Sequence, residues 1–246
     1  MTIVLVHGNP ETEAIWDDLV PLLSDQIIVR LCPPGFGSTV RPGFDCSVDA
    51  YLSWLVGELG KLARPIDLVG HDWGGGHVMR VAMDYPALIR SSATDMLGAF
   101  DPDYVWHDLA QVWQTPQVGE QAVAQMVSMP AEALARRYEG LGMTAAIARK
   151  VAAAANGDMG RAILALYRSA VQPIIRDLGA GLPRAAAKPG LALIATEDRY
   201  CGGETLTRRC AERAGANIAV LEGAVIGGCV SSQSKVLTRS IRSWQS

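Results

Sequence analysis

Two hydrophobic periodicities take turns along this chain. Aliphatic runs with little polar alternation recur at Ile3–Val6, Ile27–Leu31, Ile66–Val69, Gly190–Ala195 and Ile218–Leu221, and a more mixed strand-like run at Ser92–Leu97. Such runs predict strands covered on both faces. Between them, apolar residues at helical spacing predict helices over Ala14–Leu23, Val48–Leu62, the stretch after Trp73, Leu206–Ala214 and about Ser234–Trp244. Strands alternating with helices predict an α/β fold: a mostly parallel sheet flanked by helices, with right-handed crossovers. From Phe100 to Pro183 the strand pattern disappears. Helical spacing replaces it over Val105–Trp113, Glu120–Val127, Pro130–Tyr138, Thr144–Ala155 and Gly160–Leu178. We therefore expect residues 1–99 and 184–246 to form an α/β core and residues 100–183 an all-helical insertion.

One junction stands out. The run Ile66–Val69 leads into Gly70-His71-Asp72-Trp73-Gly74-Gly75-Gly76, after which the helical pattern begins. A polar residue flanked by glycines between a strand and a helix is the layout of a nucleophile elbow, which lifts one side chain clear of the sheet. Glycines belong there because strand and helix crowd together and leave no room for Cβ atoms. The blander alternative is a Gly-rich turn in which Asp72 caps the helix.

With Asp72 followed by Trp73 in such an elbow, the chain resembles the α/β-hydrolase superfamily, and within it the haloalkane dehalogenases and epoxide hydrolases. The turn His7-Gly8-Asn9-Pro10 after the first strand and Pro34-Gly35-Phe36-Gly37-Ser38 after the second carry the same resemblance. It implies that Asp72 is the catalytic nucleophile. It further implies that Asn9 and Trp73 form the oxyanion and halide-binding groups, and that the helical insertion is a cap over the active site. Trp106, Tyr104 and His107 are then expected in the substrate pocket. A carboxylate after the fifth strand would orient a catalytic histidine; Asp198 matches that place, with Asp95 as second candidate. The resemblance also implies that the chain starts at the third strand of the full superfamily sheet, with no leading β-hairpin.

One part of the pattern departs from the family. After the last strand the family has a small-residue turn that delivers a histidine. Here the turn reads Glu222-Gly223-Ala224-Val225-Ile226, and the histidine position falls on Val225 or Ile226. The four histidines, His7, His71, His77 and His107, all lie upstream. An ionised Asp72 can attack an alkyl carbon without a base. Hydrolysing the resulting ester needs one to deprotonate water, worth about 10²–10⁴-fold. The expectation is a haloalkane dehalogenase-like hydrolase whose second step is impaired or unconventional. An epoxide hydrolase-like enzyme, with Tyr104, Tyr138 and Tyr167 as proton donors, is the first alternative. A non-hydrolytic member that binds ligand, traps it once or uses Asp72 biosynthetically is the second.

Composition narrows the partners. The 246 residues carry a net charge of −3, with 49% apolar and 19% charged residues. That suits one domain with a substantial core and argues against nucleic-acid binding. No run is long enough for a membrane span, and the N-terminus lacks a signal-peptide pattern, so a cytoplasmic location is expected. Five cysteines without regular spacing suggest neither a disulfide framework nor a metal site. The expected partner is a small apolar substrate, with no cofactor.

Overall fold

The computed structural model describes residues 2–225 together with Ser234, Thr238 and Arg239. Within them one sheet is built from β1 (Thr2–Val6), β2 (Ile27–Leu31), β3 (Ile66–Gly70), β4 (Ser91–Thr94), β5 (Gly190–Ala195) and β6 (Asn217–Leu221). The strand order is β2-β1-β3-β4-β5-β6, and every neighbouring pair is parallel. The aliphatic runs explain this: Ile3, Val4, Leu5 and Val6 are all fully buried, as a central strand covered by helices requires. Each such side chain contributes about 1.5–3 kcal/mol by leaving water. The one charge inside β3, Asp67, is buried and answered by the Arg90 guanidinium and the Ser91 hydroxyl next to the start of β4.

The helices are α1 (Val48–Leu59), α2 (Trp73–Asp84), α3 (Asp108–Gln114), α4 (Val118–Ser128), α5 (Ala131–Gly140), α6 (Ala145–Ala153), α7 (Gly157–Ser169), α8 (Ile174–Leu178) and α9 (Gly203–Ala214). Six of them, α3 to α8, lie between β4 and β5, where strand-like runs are missing from the sequence. Three local expectations need correction. Ala14–Leu23 is two 3₁₀ turns, Glu13–Trp16 and Val20–Leu23, because Pro21 has no N–H to offer an α-helical ladder. The helix expected over 160–178 is split into α7 and α8 at Pro173 for the same reason. Strand β4 stops at Thr94, whose hydroxyl accepts the Met96 N–H at 3.1 Å, and Leu97–Phe100 is a 3₁₀ turn. The expected C-terminal helix and Ile226 lie outside the described residues, apart from Ser234, Thr238 and Arg239.

Topology sets where chemistry can occur. From β1 the chain moves outward to β2, then returns to place β3 on the other side of β1. The loops leaving β1 and β3 therefore part company, opening a crevice at the C-terminal edge of the sheet. Parallel register pairs Val6 with Gly70, so the residues that follow each strand leave the sheet side by side. The His71 N–H still reaches back to the Val6 carbonyl at 3.0 Å. Just beyond, α2 crosses so close that a Cβ on Gly74 would lie 2.2 Å from the Val6 oxygen.

Candidate active site

Asp72 occupies the turn between β3 and α2 with φ 50° and ψ −130°. A non-glycine residue in that region carries about 1–3 kcal/mol of strain, tolerated where the surroundings fix it. Three contacts do so. The Asp72 N–H donates to Asp95 Oδ1 at 2.8 Å, and the Asn9 N–H donates to Asp72 Oδ1 at 2.9 Å. The Trp73 backbone N–H, first in α2, also serves the carboxylate. The side chain makes no cap bond to its own helix. It faces a cavity of about 90 Å³, room for a ligand of a few heavy atoms.

The sheet edge and the helices between β4 and β5 share the walls of that cavity. Asn9, Glu11, His71 and Asp72 come from the sheet edge; His107, Leu109, Trp113, Tyr138, Leu141, Met143 and Tyr167 come from the helical segment. The lining is mostly apolar, with a few polar atoms that have no protein partner. Both side-chain atoms of Asn9 and the hydroxyl of Tyr138 are buried without a hydrogen bond. Trp73 is not itself on the wall; its indole N–H lies beside the hydroxyl of the lining residue Tyr167, without a hydrogen bond of regular geometry. Unpaired buried polar groups cost about 1–3 kcal/mol each, so their clustering here marks a place built for a ligand.

Beneath Asp72 lies a charge cluster of which the sequence offered Asp95, as a carboxylate that orients a histidine, but not Glu11 or its pairing with His71. His71 is 1% exposed, with Nδ1 2.5 Å from Asp95 Oδ2 and Nε2 3.1 Å from Glu11 Oε1. Burial alone would disfavour a charged imidazole, but the two carboxylates hold His71 well above its ordinary 6.5, as imidazolium. Trp16 closes this cluster edge-on, its ring 6.3 Å from that of His71. Burial and the Glu11 charge push Asp72 up to about 7, against the pull of His71 and the two backbone N–H groups. Glu11 follows Asn9-Pro10 in what reads as an ordinary polar turn. Only the pairing of β1 with β3 places it against His71, and no sequence spacing signals that.

The remaining expected residues are placed as follows. His107 lines the cavity, but its Nδ1 accepts the Ala110 N–H at 3.2 Å as the cap of α3. With Nδ1 so used, and burial lowering the group to about 4, His107 is neutral and carries its proton on Nε2. It can donate into the cavity and has no nitrogen left to accept a proton. Trp106 and Tyr104 pack behind the wall. The Trp106 indole stacks on Trp73 and donates to the Ala170 carbonyl, and the Tyr104 hydroxyl donates to the Tyr200 carbonyl at 2.6 Å. Asp198, just past β5, accepts the Tyr200 and Cys201 N–H groups at 3.0 and 2.8 Å, and burial raises its pKa. His77 is buried against Tyr51, and His7 Nδ1–H donates to the Gly8 carbonyl. Val225, one of the two positions expected for a histidine, is half-buried just past β6. Among the described residues no cluster of side chains could hold a metal ion, and no helix is long and apolar enough to cross a membrane.

Comparison with known proteins agrees with the fold. A profile of the alpha/beta hydrolase family matches residues 3–224. Haloalkane dehalogenase 2 of Mycobacterium bovis is 30% identical over 206 residues, 79% of this chain and 64% of its own length. The probable oxidoreductase EphD of Mycobacterium tuberculosis is 29% identical over 152 residues, 54% of this chain and 24% of its own, so the chain spans only a quarter of that relative. Soluble epoxide hydrolase of a Corynebacterium species is 33% identical over 93 residues, 36% of this chain and 32% of its own. Among solved structures, Cfl2 from Burkholderia cenocepacia superposes with a TM-score of 0.78 at 20% identity, covering 99% of this chain and 87% of that one. A loop variant of haloalkane dehalogenase DbeA from Bradyrhizobium elkanii gives 0.73 at 17%, covering 99% and 88%. At such identities the structural matches speak for the fold alone.

Proposed function

The chain belongs to the alpha/beta hydrolase family, and on that premise we propose that it is a hydrolase whose Asp72 attacks a saturated carbon of a small apolar electrophile, an alkyl halide in the first instance. The observation that carries this reading is the Asp72 carboxylate itself. It is held by backbone N–H groups at a strained turn and faces an apolar cavity roofed by helices. In the ionised form one carboxylate oxygen displaces the leaving group in line, giving an alkyl ester on Asp72 and a free halide. An apolar wall keeps water off the carboxylate, leaving it a better nucleophile than a solvated one. The unpartnered Asn9 amide and Trp73 indole N–H groups supply donors for the departing halide. When water attacks the ester, the Asn9 N–H sits where the oxyanion develops on Oδ1, and the Trp73 N–H is a second donor to the same carboxylate.

A second reading has an observation of its own. The Tyr138 hydroxyl is buried in the cavity without a partner, and burial keeps it protonated, so it can hand a proton to the oxygen of an opening epoxide. Incubation with a bromoalkane and, separately, a styrene-type epoxide distinguishes the two through bromide release and diol formation. Bromide with the matching alcohol supports the halide reading, whereas diol without bromide replaces it with the epoxide one. A protein that binds these compounds and converts neither is a non-hydrolytic member, and the proposal falls.

A further inference from the structure

Hydrolysis of an Asp72 ester requires a proton acceptor, and none of the four histidines supplies one at the cavity. His71 has both nitrogens on carboxylates and His107 has its acceptor nitrogen on a backbone N–H. His7 and His77 are not on the wall. We propose that Glu11 is the general base of the second step, held in place by the His71 ring. This rests on the reading of Asp72 as nucleophile.

The placement of Glu11 supports the assignment. Its carboxylate is almost fully buried, yet it lines the same cavity as Asp72. One oxygen, Oε1, is engaged by His71 Nε2 at 3.1 Å, while His71 is itself pinned by Asp95. The other, Oε2, has only the Gly8 N–H at 3.3 Å, a long contact that leaves a lone pair open. Gly8 is also the residue packed against Asp72, so the two carboxylates flank one glycine. The proposed step places its water between them, with a carbonyl carbon on one side and a base on the other. The titratable groups around Glu11 are His7, His71, Asp72, Tyr138 and Tyr167, with Asp95 behind His71.

In the step, the water oxygen bonds to Asp72 Cγ while one of its protons passes to Glu11 Oε2. The oxyanion rests on the Asn9 and Trp73 N–H groups. Collapse breaks the bond between Cγ and the alkoxy oxygen, which takes the proton from Glu11 and leaves as the alcohol. The Asp72 carboxyl then releases its proton to solvent. His71 stays protonated throughout, so the base is a carboxylate steadied by a fixed positive charge.

The test separates the two chemical steps in the full chain with 1-bromobutane. Bromide reports alkylation, and intact mass follows the alkyl adduct on Asp72. Glu11→Gln is expected to keep a bromide burst of about one equivalent and to slow adduct decay by about 10²–10⁴-fold. In Glu11→Ala, added formate is expected to restore part of the decay rate, which a purely structural role for Glu11 would not allow. Adduct decay in folded Glu11→Gln at the wild-type rate overturns the assignment, and so does Glu11→Ala that formate does not rescue. A wild-type adduct that never decays overturns it too, while leaving alkylation by Asp72 standing. Bromide release that survives Asp72→Asn, with no adduct in any variant, instead sinks the nucleophile reading beneath it.

Discussion

A Cβ built on Gly8 would lie 2.1 Å from Asp72 Oδ1 and 2.6 Å from its Cγ. The loop after β1 thus touches the carboxylate that β3 delivers, and only hydrogen fits between them. Gly8→Ala must displace either the loop with its Asn9 N–H donor or the Asp72 side chain. A misplacement of about 1 Å costs around 100-fold in a positioned reaction. Gly8→Ala is expected to stay folded, with a melting temperature within a few degrees of wild type, and to lose about that factor in bromide release. Full activity would mean that the Asn9–Asp72 contact is dispensable.

Asp72 links activity to pH. In the proposed reaction its carboxylate, pushed up to about 7, attacks only when ionised. The alkylation rate is therefore expected to rise with pH through about 7 and level off above 8. Stability follows the opposite sign. A carboxyl with a folded-state value above its ordinary 3.8 contributes stability below 3.8, and that contribution is lost as pH rises through 7. Asp72→Asn, whose amide oxygen can still accept the Asn9 N–H, is expected to be more stable than wild type at pH 8 and close to it at pH 4. Each kcal/mol relieved corresponds to about 2–4 °C in melting temperature. Equal melting curves at pH 8 would contradict the desolvated carboxylate.

Much of this was legible in the sequence, and the reason differs by element. The strands could be read because buried parallel strands show unbroken aliphatic runs, as in Ile3–Val6. The elbow could be read because close packing leaves glycine as the only fit at Gly74. The helical segment could be read because its stripes recur at helical spacing, though prolines 21 and 173 divided two helices that apolar spacing alone joined. What could not be read was pairing across the sheet. Glu11, His71 and Asp95 are brought together from three separate strand ends. A side chain's place in the wall depends on rotamer and packing, so Trp106 and Tyr104 gave no sign that they stand behind it.

His71 holds two carboxylates together, and its removal leaves both buried without a counter-charge. Breaking a buried ion pair in this way costs about 3–5 kcal/mol. His71→Gln is expected to unfold at correspondingly lower denaturant. The pH dependence has a defined sign. His71 is raised above its ordinary 6.5, so its contribution is complete below 6.5 and is lost as pH rises through the folded-state value. The gap between wild type and His71→Gln should be widest near pH 6 and narrow in alkali. A gap independent of pH would show that the imidazole serves by shape alone.

Tyr138 and Asn9 divide the two substrate readings. Both present buried polar atoms without protein partners to the cavity that holds Asp72. A halide leaves as an anion and asks for N–H donors, whereas an epoxide oxygen stays on the product and asks for a proton. Tyr138→Phe removes the proton donor at almost constant volume. It is therefore expected to lower epoxide opening by about 10²–10⁴-fold while leaving bromide release within a factor of a few. Asn9→Ala, which keeps the backbone N–H on Asp72, is expected to do the reverse, weakening halide release by about 10²-fold through loss of one donor. Steady-state kinetics of the two variants on both substrates provide the measurement. If Tyr138→Phe lowered bromide release and Asn9→Ala spared it, the assignment of the leaving-group side of the cavity would be inverted.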